Sequence, residues 1–333
     1  MKRQIGWALL GTGAIARSRM APAIARHAGS RIVAVVSTSA ARAERLAETT
    51  GAVRAYAALD SALDDDAVDA VYVSTTNDLH AEHAIACLHA GRHVLCEKPL
   101  ALSLHDAGAM IAAASAAGTT LAVDHHLRAA ASLEWMRSLL AAGTIGAPRS
   151  IRSSHRCFVR PGRRYGWRMT DASRGAGVIL DLTVHTADAM RFLTGREVES
   201  VSGHAGPAGF GRDGIEGAVA GTMRLSGDVL VSFGDAWSRL PSLSAIEVDG
   251  DAGRLSARGV LDGSPRAVIA IDGEPVAEFE DDPYGRTVER FPDAVRGEGR
   301  PAATADDGRR SLAVALALRT AVAEGRPVDA REP

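Results

Sequence analysis

The residue types best suited to chemistry in this chain are the ones it uses most sparingly. Of 38 basic residues, 36 are arginines, and the two lysines are Lys2 and Lys98. A guanidinium stays protonated, whereas an ammonium is a compact point charge with a transferable proton and a readily shifted pKa. Lys98 stands in HVLCEKPL (His93–Leu100), between Glu97 and Pro99. A lysine in an arginine background suits carbonyl polarisation or proton transfer, the plain alternative being a residual surface charge. Asn77 is the only asparagine of the chain. In Thr75-Thr76-Asn77-Asp78-Leu79-His80 its amide can both donate and accept, and helix N-capping is its plainer role. A third group lies in GVILDLTVH, where Asp181 precedes His185 by four residues, one helical turn. A carboxylate so placed can hold the imidazole tautomer and favour its protonated form, as a proton donor requires. A surface ion pair is the bland reading, but Ile179, Leu180, Leu182 and Val184 make this helix look buried.

Such groups need elements that bring them to one place. Ile5–Leu10 reads as a buried strand and runs into Gly11-Thr12-Gly13-Ala14-Ile15-Ala16, the GxGxxA form of the dinucleotide-binding turn. In that turn the first glycine allows a tight bend, the second a close approach of backbone to pyrophosphate, and the alanine close helix–strand packing. The following helix, to about His27, points its first N–H groups at the phosphates. A second strand, Arg31–Val36, ends in Ser37-Thr38-Ser39 with no carboxylate, and Arg42 and Arg45 follow. Without an acid to repel a 2′-phosphate, this end favours NADP(H) over NAD(H); solvated helix arginines are the alternative. Further helices at 40–50, 59–63, 80–90 and 103–117 (Ser103 as N-cap) alternate with strands at Ala70–Ser74, His93–Cys96 and Thr120–Val123, and a short segment at Val53–Tyr56 follows the first of these helices. The alternation predicts a doubly wound parallel α/β sheet. Gly11–Ala16, Asn77, Lys98 and Asp124 then fall at its carboxyl edge. The isomer of the Lys98–Pro99 peptide is open from sequence.

Beyond a helix at 131–142 the pattern changes to short alternating strands. They lie at Arg149–Phe158, Val198–Ala205, Gly217–Leu225, Asp228–Asp235, Ser244–Val248, Arg254–Ala257, Ala267–Ile271 and Val276–Phe279. Helices return at Pro283–Arg296 and Asp306–Ala323. This half predicts an α+β domain with a large, open-faced, mostly antiparallel sheet. The division expected is 1–125 for the nucleotide-binding domain and 126–333 for the substrate domain.

Composition narrows the class. The chain has 333 residues, 46% hydrophobic and 23% charged, with a net charge of −2. That suits two globular domains and gives no sign of nucleic-acid or membrane partners. Cys87, Cys96 and Cys157 are odd in number and unpatterned, as in a reducing compartment, and the glycine-broken N-terminal run reads as a strand, not a signal peptide. A cytoplasmic protein is expected. His80/His83 and His125/His126 lack ligand spacing with Cys or Glu, so no metal is expected. An open sheet face could pair copies of the chain, without fixing their number.

The combination GTGAIA, Glu97-Lys98-Pro99 and Asp181-xxx-His185 resembles the glucose–fructose oxidoreductase / myo-inositol dehydrogenase family. VSTSA at Val36, VDAVYVSTTNDLH at Val68, HHLR at His125 and GVILDLTVH at Gly177 extend the resemblance over much of residues 33–190. It implies a Rossmann domain followed by an open-faced sheet domain. It implies NADPH as reductant, with Ser37, Thr38 and Arg42 at the 2′-phosphate, and Ser74, Thr75, Thr76, Asn77, Leu79 and His80 along the nicotinamide ribose. Glu97, Lys98, Trp167, Arg168 and Tyr284 would complete the cofactor site, with Asp124 where an asparagine is expected. The implied reaction is reduction of the C2 ketone of 1,5-anhydro-D-fructose or a close keto-sugar. Lys98, His185 and Asp181 are its catalytic residues, and either Lys98 or His185 is the proton donor. An NAD(P)-dependent inositol or aldose dehydrogenase is one alternative, a non-catalytic sugar or dinucleotide sensor another.

Overall fold

The structure, a computed structural model, describes residues 3–159, 166–211, 214–238, 244–261, 264 and 266–331; Lys2 lies outside them. The chain divides into two compact units, Met1–His126 with Pro283–Arg309, and Leu127–Asp282 with Arg310–Pro333.

In the first unit, β1 (Ile5–Leu10), β2 (Ser30–Val36), β3 (Arg54–Tyr56), β4 (Ala70–Val73), β5 (His93–Cys96) and β6 (Leu121–Val123) form one sheet in the order β3-β2-β1-β4-β5-β6. All its pairings are parallel. Strands covered on both faces must be apolar throughout, and every residue of β1 and β4 is buried. A π-turn, Ala16–Met20, leads into α1 (Ala21–Arg26); α2 (Ala40–Thr50), α3 (Leu59–Leu63), α4 (His80–His89) and α5 (Leu104–Ala117) supply the other crossovers. The Ser103 hydroxyl accepts from Asp106 N at 3.0 Å and caps α5 as its sequence predicts. The order reverses between β1 and β4, so their carboxyl ends frame the crevice where open α/β sheets bind ligands.

In the second unit, β7 (Pro148–Phe158), β8 (Val198–Gly206), β9 (Ala218–Leu225), β10 (Val229–Ser238), β11 (Ala245–Gly250), β12 (Arg254–Arg258), β13 (Arg266–Ile271), β14 (Glu274–Glu280) and β15 (Val328–Asp329) build a second sheet, ordered β14-β13-β12-β11-β7-β10-β9-β8-β15. The central β10–β7 pair is parallel and its other pairings are antiparallel. Helices α6 (Ala131–Ala141) and α7 (Val184–Thr194) pack against this sheet. Burial alternates along β10, one phase covered and the other open. Strand β15 is two residues long and carries no readable alternation.

The sequence boundary at 125/126 falls at the edge of the first unit, but α8 (Pro283–Val295) also belongs to that unit. Its Val288 and Phe291 are fully buried in the core of β1 and α1, and the Phe291 ring lies 4.9 Å from that of Trp7. Without this helix the indole of β1 would lack a cover. Helix α9 (Ala305–Glu324) then carries the chain back into the second unit. Among the described residues no helix is long and apolar enough to cross a membrane.

Candidate active site

The glycine turn is built for a close approach. Gly11 has φ +104°, and a Cβ there would lie 2.6 Å from the Ser74 carbonyl oxygen, so no other residue fits. At Gly13 a Cβ would meet nothing nearer than 3.9 Å, leaving the backbone open on that side. Thr12, Ala14 and Ile15 fill the turn, and buried Ala16 seats the following helix on the sheet. Open backbone beside first-turn N–H groups fits the diphosphate of a dinucleotide.

At the end of β2, Ser37 is buried and its Oγ accepts from Ser39 N at 3.4 Å, while Thr38 is exposed. No carboxylate stands between Ser37 and Arg42. Arg42 and Arg45 of α2, with Thr12 and Arg17, line a cleft of about 580 Å³. Among the described residues no carboxylate pairs with these three guanidiniums, so the cleft is cationic and uncompensated.

The ends of β4, β5 and β6 gather the remaining candidates of this unit. Ser74 donates from N and Oγ to the Leu10 carbonyl, at 2.9 and 3.1 Å. Thr75 Oγ1 meets His83 Nδ1 at 3.2 Å. Thr76 opens a short 3₁₀ turn, Asn77–Leu79, in which Asn77 is buried. Thr76 and Leu79 occupy the cap positions of this turn and of α4, so Asn77 does not serve as the N-cap that sequence allowed. The buried His80 donates from Nδ1 to the Pro99 carbonyl at 2.8 Å and ties α4 to the turn after β5. The Lys98–Pro99 peptide in that turn is cis. Glu97 and Lys98 are both buried, and Glu97 Oε2 accepts from Lys98 N at 3.2 Å. Tyr72 donates to Glu97 Oε1 at 2.5 Å and lies 3.3 Å from Asp124 Oδ2. Burial, then the Glu97 charge, pushes both the Tyr72 phenol and the Asp124 carboxyl well above their ordinary values. Tyr284 stacks on His126 with ring centroids 4.2 Å apart.

The second unit holds the other group. A π-turn, Ile179–Thr183, precedes α7 and changes the rotation between Asp181 and His185 from that of a plain α-helix. Asp181 Oδ2 accepts from Trp237 Nε1 at 3.0 Å, and Arg168 Nε lies 3.4 Å from Oδ1. The Arg168 guanidinium in turn covers the Trp167 ring at 4.5 Å. His185 is buried, its ring centroid 6.1 Å from that of His155. Asp235, the register partner of His155 across β7 and β10, is fully buried and accepts from Thr186 Oγ1 at 3.0 Å. Burial lifts its carboxyl to about 7. Gly177 has φ +113°, and a Cβ there would fall 2.2 Å from Glu216 Oε1. That carboxylate accepts from Ile179 N at 3.3 Å and anchors the start of this helical segment.

Sequence reasoning passed over Tyr72, His155, Asp235 and Trp237. Asp235 carried a signal: it falls on the phase of β10 otherwise occupied by Val231, Phe233 and Trp237, so the alternation places a carboxylate inside. Among the described residues no group of three or more His, Cys, Asp or Glu side chains is arranged to hold a metal ion.

Comparison with known proteins agrees with this architecture. Residues 5–125 match a family model described as an oxidoreductase family with NAD-binding Rossmann fold, and residues 133–256 match the GFO/IDH/MocA C-terminal domain. The 1,5-anhydro-D-fructose reductase of Ensifer adhaerens is 38% identical over 97% of this chain and 98% of its own length. The myo-inositol 2-dehydrogenase of Thermotoga maritima is 28% identical over 87% of this chain and 88% of its own. Among solved structures, the aldose–aldose oxidoreductase of Caulobacter crescentus, complexed with glycerol, superposes with a TM-score of 0.88 at 25% identity, covering 98% of this chain and all of that one. Domain models over both halves and a relative matched along nearly its whole length place this chain in the GFO/IDH/MocA family of oxidoreductases.

Proposed function

We propose that the protein reduces the C2 ketone of 1,5-anhydro-D-fructose, or of a close keto-sugar, with NADPH to a polyol such as 1,5-anhydro-D-mannitol. The observation that carries this reading is the 38% identity to a 1,5-anhydro-D-fructose reductase over 97% of the chain. The uncompensated cationic cleft beside the acid-free end of β2 supports the choice of NADPH.

When bound, the dinucleotide supplies a hydride from C4 of its nicotinamide. Gly11–Ala16 hold the diphosphate, Ser37, Thr38 and Arg42 the 2′-phosphate, and Ser74–His80 the nicotinamide ribose. Glu97, Asp124, Trp167, Arg168 and Tyr284 complete the cofactor contacts. Lys98 polarises the substrate carbonyl, and His185 delivers the proton to the developing alkoxide. Asp181, itself held by Trp237 and Arg168, orients His185. Exchanged roles, with Lys98 as donor, would show as loss of the solvent isotope effect in Lys98→Met but not in His185→Asn.

The test is a panel of ketoses and polyols, each offered with NADPH, NADH and their oxidised forms. Turnover of 1,5-anhydro-D-fructose with NADPH is expected; preference for NADH would overturn the reading of Ser37 and Arg42. The inositol dehydrogenase relative supports a second reading, and oxidation of myo-inositol in preference to any ketose reduction would select it.

A further inference from the structure

Three acids meet at the carboxyl ends of β4, β5 and β6 with too few protons for their acceptors. Tyr72, Glu97 and Asp124 are 0, 6 and 0% exposed. The single phenolic proton of Tyr72 goes to Glu97 Oε1 at 2.5 Å, leaving the 3.3 Å approach to Asp124 Oδ2 the weaker of the two. Asp124 Oδ1 receives no donor, yet the Asp124 and Glu97 carboxyls lie within hydrogen-bonding reach of each other. Two carboxylates in contact in a dry site cannot both stay ionised, and one proton between them both removes the repulsion and satisfies the orphaned oxygen. The groups facing this pair are Tyr72 on β4, Cys96 on β5, Lys98 just beyond β5, and Tyr284 on α8, which faces Tyr72. Burial keeps Tyr72 and Cys96 neutral, so the charge opposite the pair is that of Lys98.

We propose that Glu97 and Asp124 hold one proton between them at neutral pH and act as a single monoanion that positions Lys98 and balances its charge. The pair is thus a positioning device, and the inference rests on the reading of Lys98 as the group that polarises the carbonyl. A proton shared between two buried carboxyls in contact is held to higher pH than on a solvated one. Losing that proton turns a monoanion into a dianion, which holds the ammonium more tightly and withdraws it from the substrate. The predicted consequence is an alkaline limb in kcat that belongs to the pair.

Infrared difference spectra of the protein alone, taken on a pH step from about 7 to about 10, test the shared proton directly. In Asp235→Asn, which removes the buried aspartate whose own carboxyl lies near 7, the protein should lose the carbonyl stretch of a protonated carboxylic acid, that band should shift when aspartate is ¹³C-labelled, and adding Asp124→Asn should abolish it. An Asp235→Asn spectrum without the band, or with a band insensitive to the label or unchanged on adding Asp124→Asn, overturns the proposal. The pH profile of kcat with keto-sugar and NADPH tests the link to Lys98: in Asp124→Asn the alkaline limb should move by at least about one pH unit, a tenfold change in proton affinity. A limb that stays in place while the band is present overturns the charge-balancing role. Absence of turnover in every form would instead strike the functional reading and leave the infrared result standing.

Discussion

Lys98 and Asp235 show how differently burial acts on single charges. Lys98 is only 9% exposed and bonded through its own backbone to Glu97, a setting in which an ammonium stays directed toward one place. Lys98→Met should lower kcat by roughly 10²-fold or more, the usual scale for a lost proton donor or charge stabiliser, while NADPH binding, followed by fluorescence titration, changes only a few-fold. Among the described residues no cation pairs with Asp235 to offset its burial, and its carboxyl rises to about 7. The folded state therefore binds a proton that the unfolded chain releases near pH 4, so stability is full below that pH and falls as pH rises through about 7. This single group carries up to about 4 kcal/mol of that fall. Urea unfolding between about pH 4 and 8 should show the decline in the wild type, with a flatter profile in Asp235→Asn. Lys98 and the glycine turn stood out in the sequence because each lies in a motif contiguous along the chain. The partners of Asp124 did not: Tyr72 lies 52 positions away and meets it only through the parallel register of β4, β5 and β6.

Among elements, the wholly buried strand β1 and the one-faced helices α2 and α3 read most faithfully. Strand β1 and helices α2 and α3 begin and end where their apolar positions indicate, and the left-handed Gly51 closes α2. The two π-turns were invisible, because they change backbone phase without changing composition: one follows the dinucleotide turn, the other carries Asp181. Helix α5 shows the opposite case, a start written into three residues. Ser103 accepts from Asp106 N, and its hydroxyl donates to Asp106 Oδ2 at 2.7 Å, which lowers the Asp106 carboxyl below its ordinary range. Ser103→Ala should cost about 1 kcal/mol, seen as a fall in Tm of roughly 2–4 °C by calorimetry.

At the scale of the whole molecule, the chain leaves its first unit at residue 126 and returns to it at 283. Phe291 is the part of that return on which the core depends most, packed against Trp7 with neither ring exposed. Phe291→Ala should destabilise the first unit by about 3–5 kcal/mol, with Trp7 emission moving to longer wavelength at lower urea. A fragment ending at residue 126 should bind hydrophobic dye and lack near-ultraviolet dichroism, and a peptide spanning 283–309 should abolish the dye binding and restore the dichroism. A discontinuous unit is hard to read from sequence, because amphipathic periodicity says that α8 has an apolar face without saying which core it covers.

That return also sets an order of events during synthesis. The first 126 residues leave the ribosome long before the helix that closes over them, and the 156 residues between 127 and 282 separate the two. At about 5–20 residues per second, this leaves the nascent β1–α1 surface open for roughly 8–30 s. The sheet of the second unit thus has time to form on the ribosome while the earlier-made nucleotide-binding sheet still waits. Slower translation over residues 127–282 lengthens the time for which that β1–α1 surface stays open.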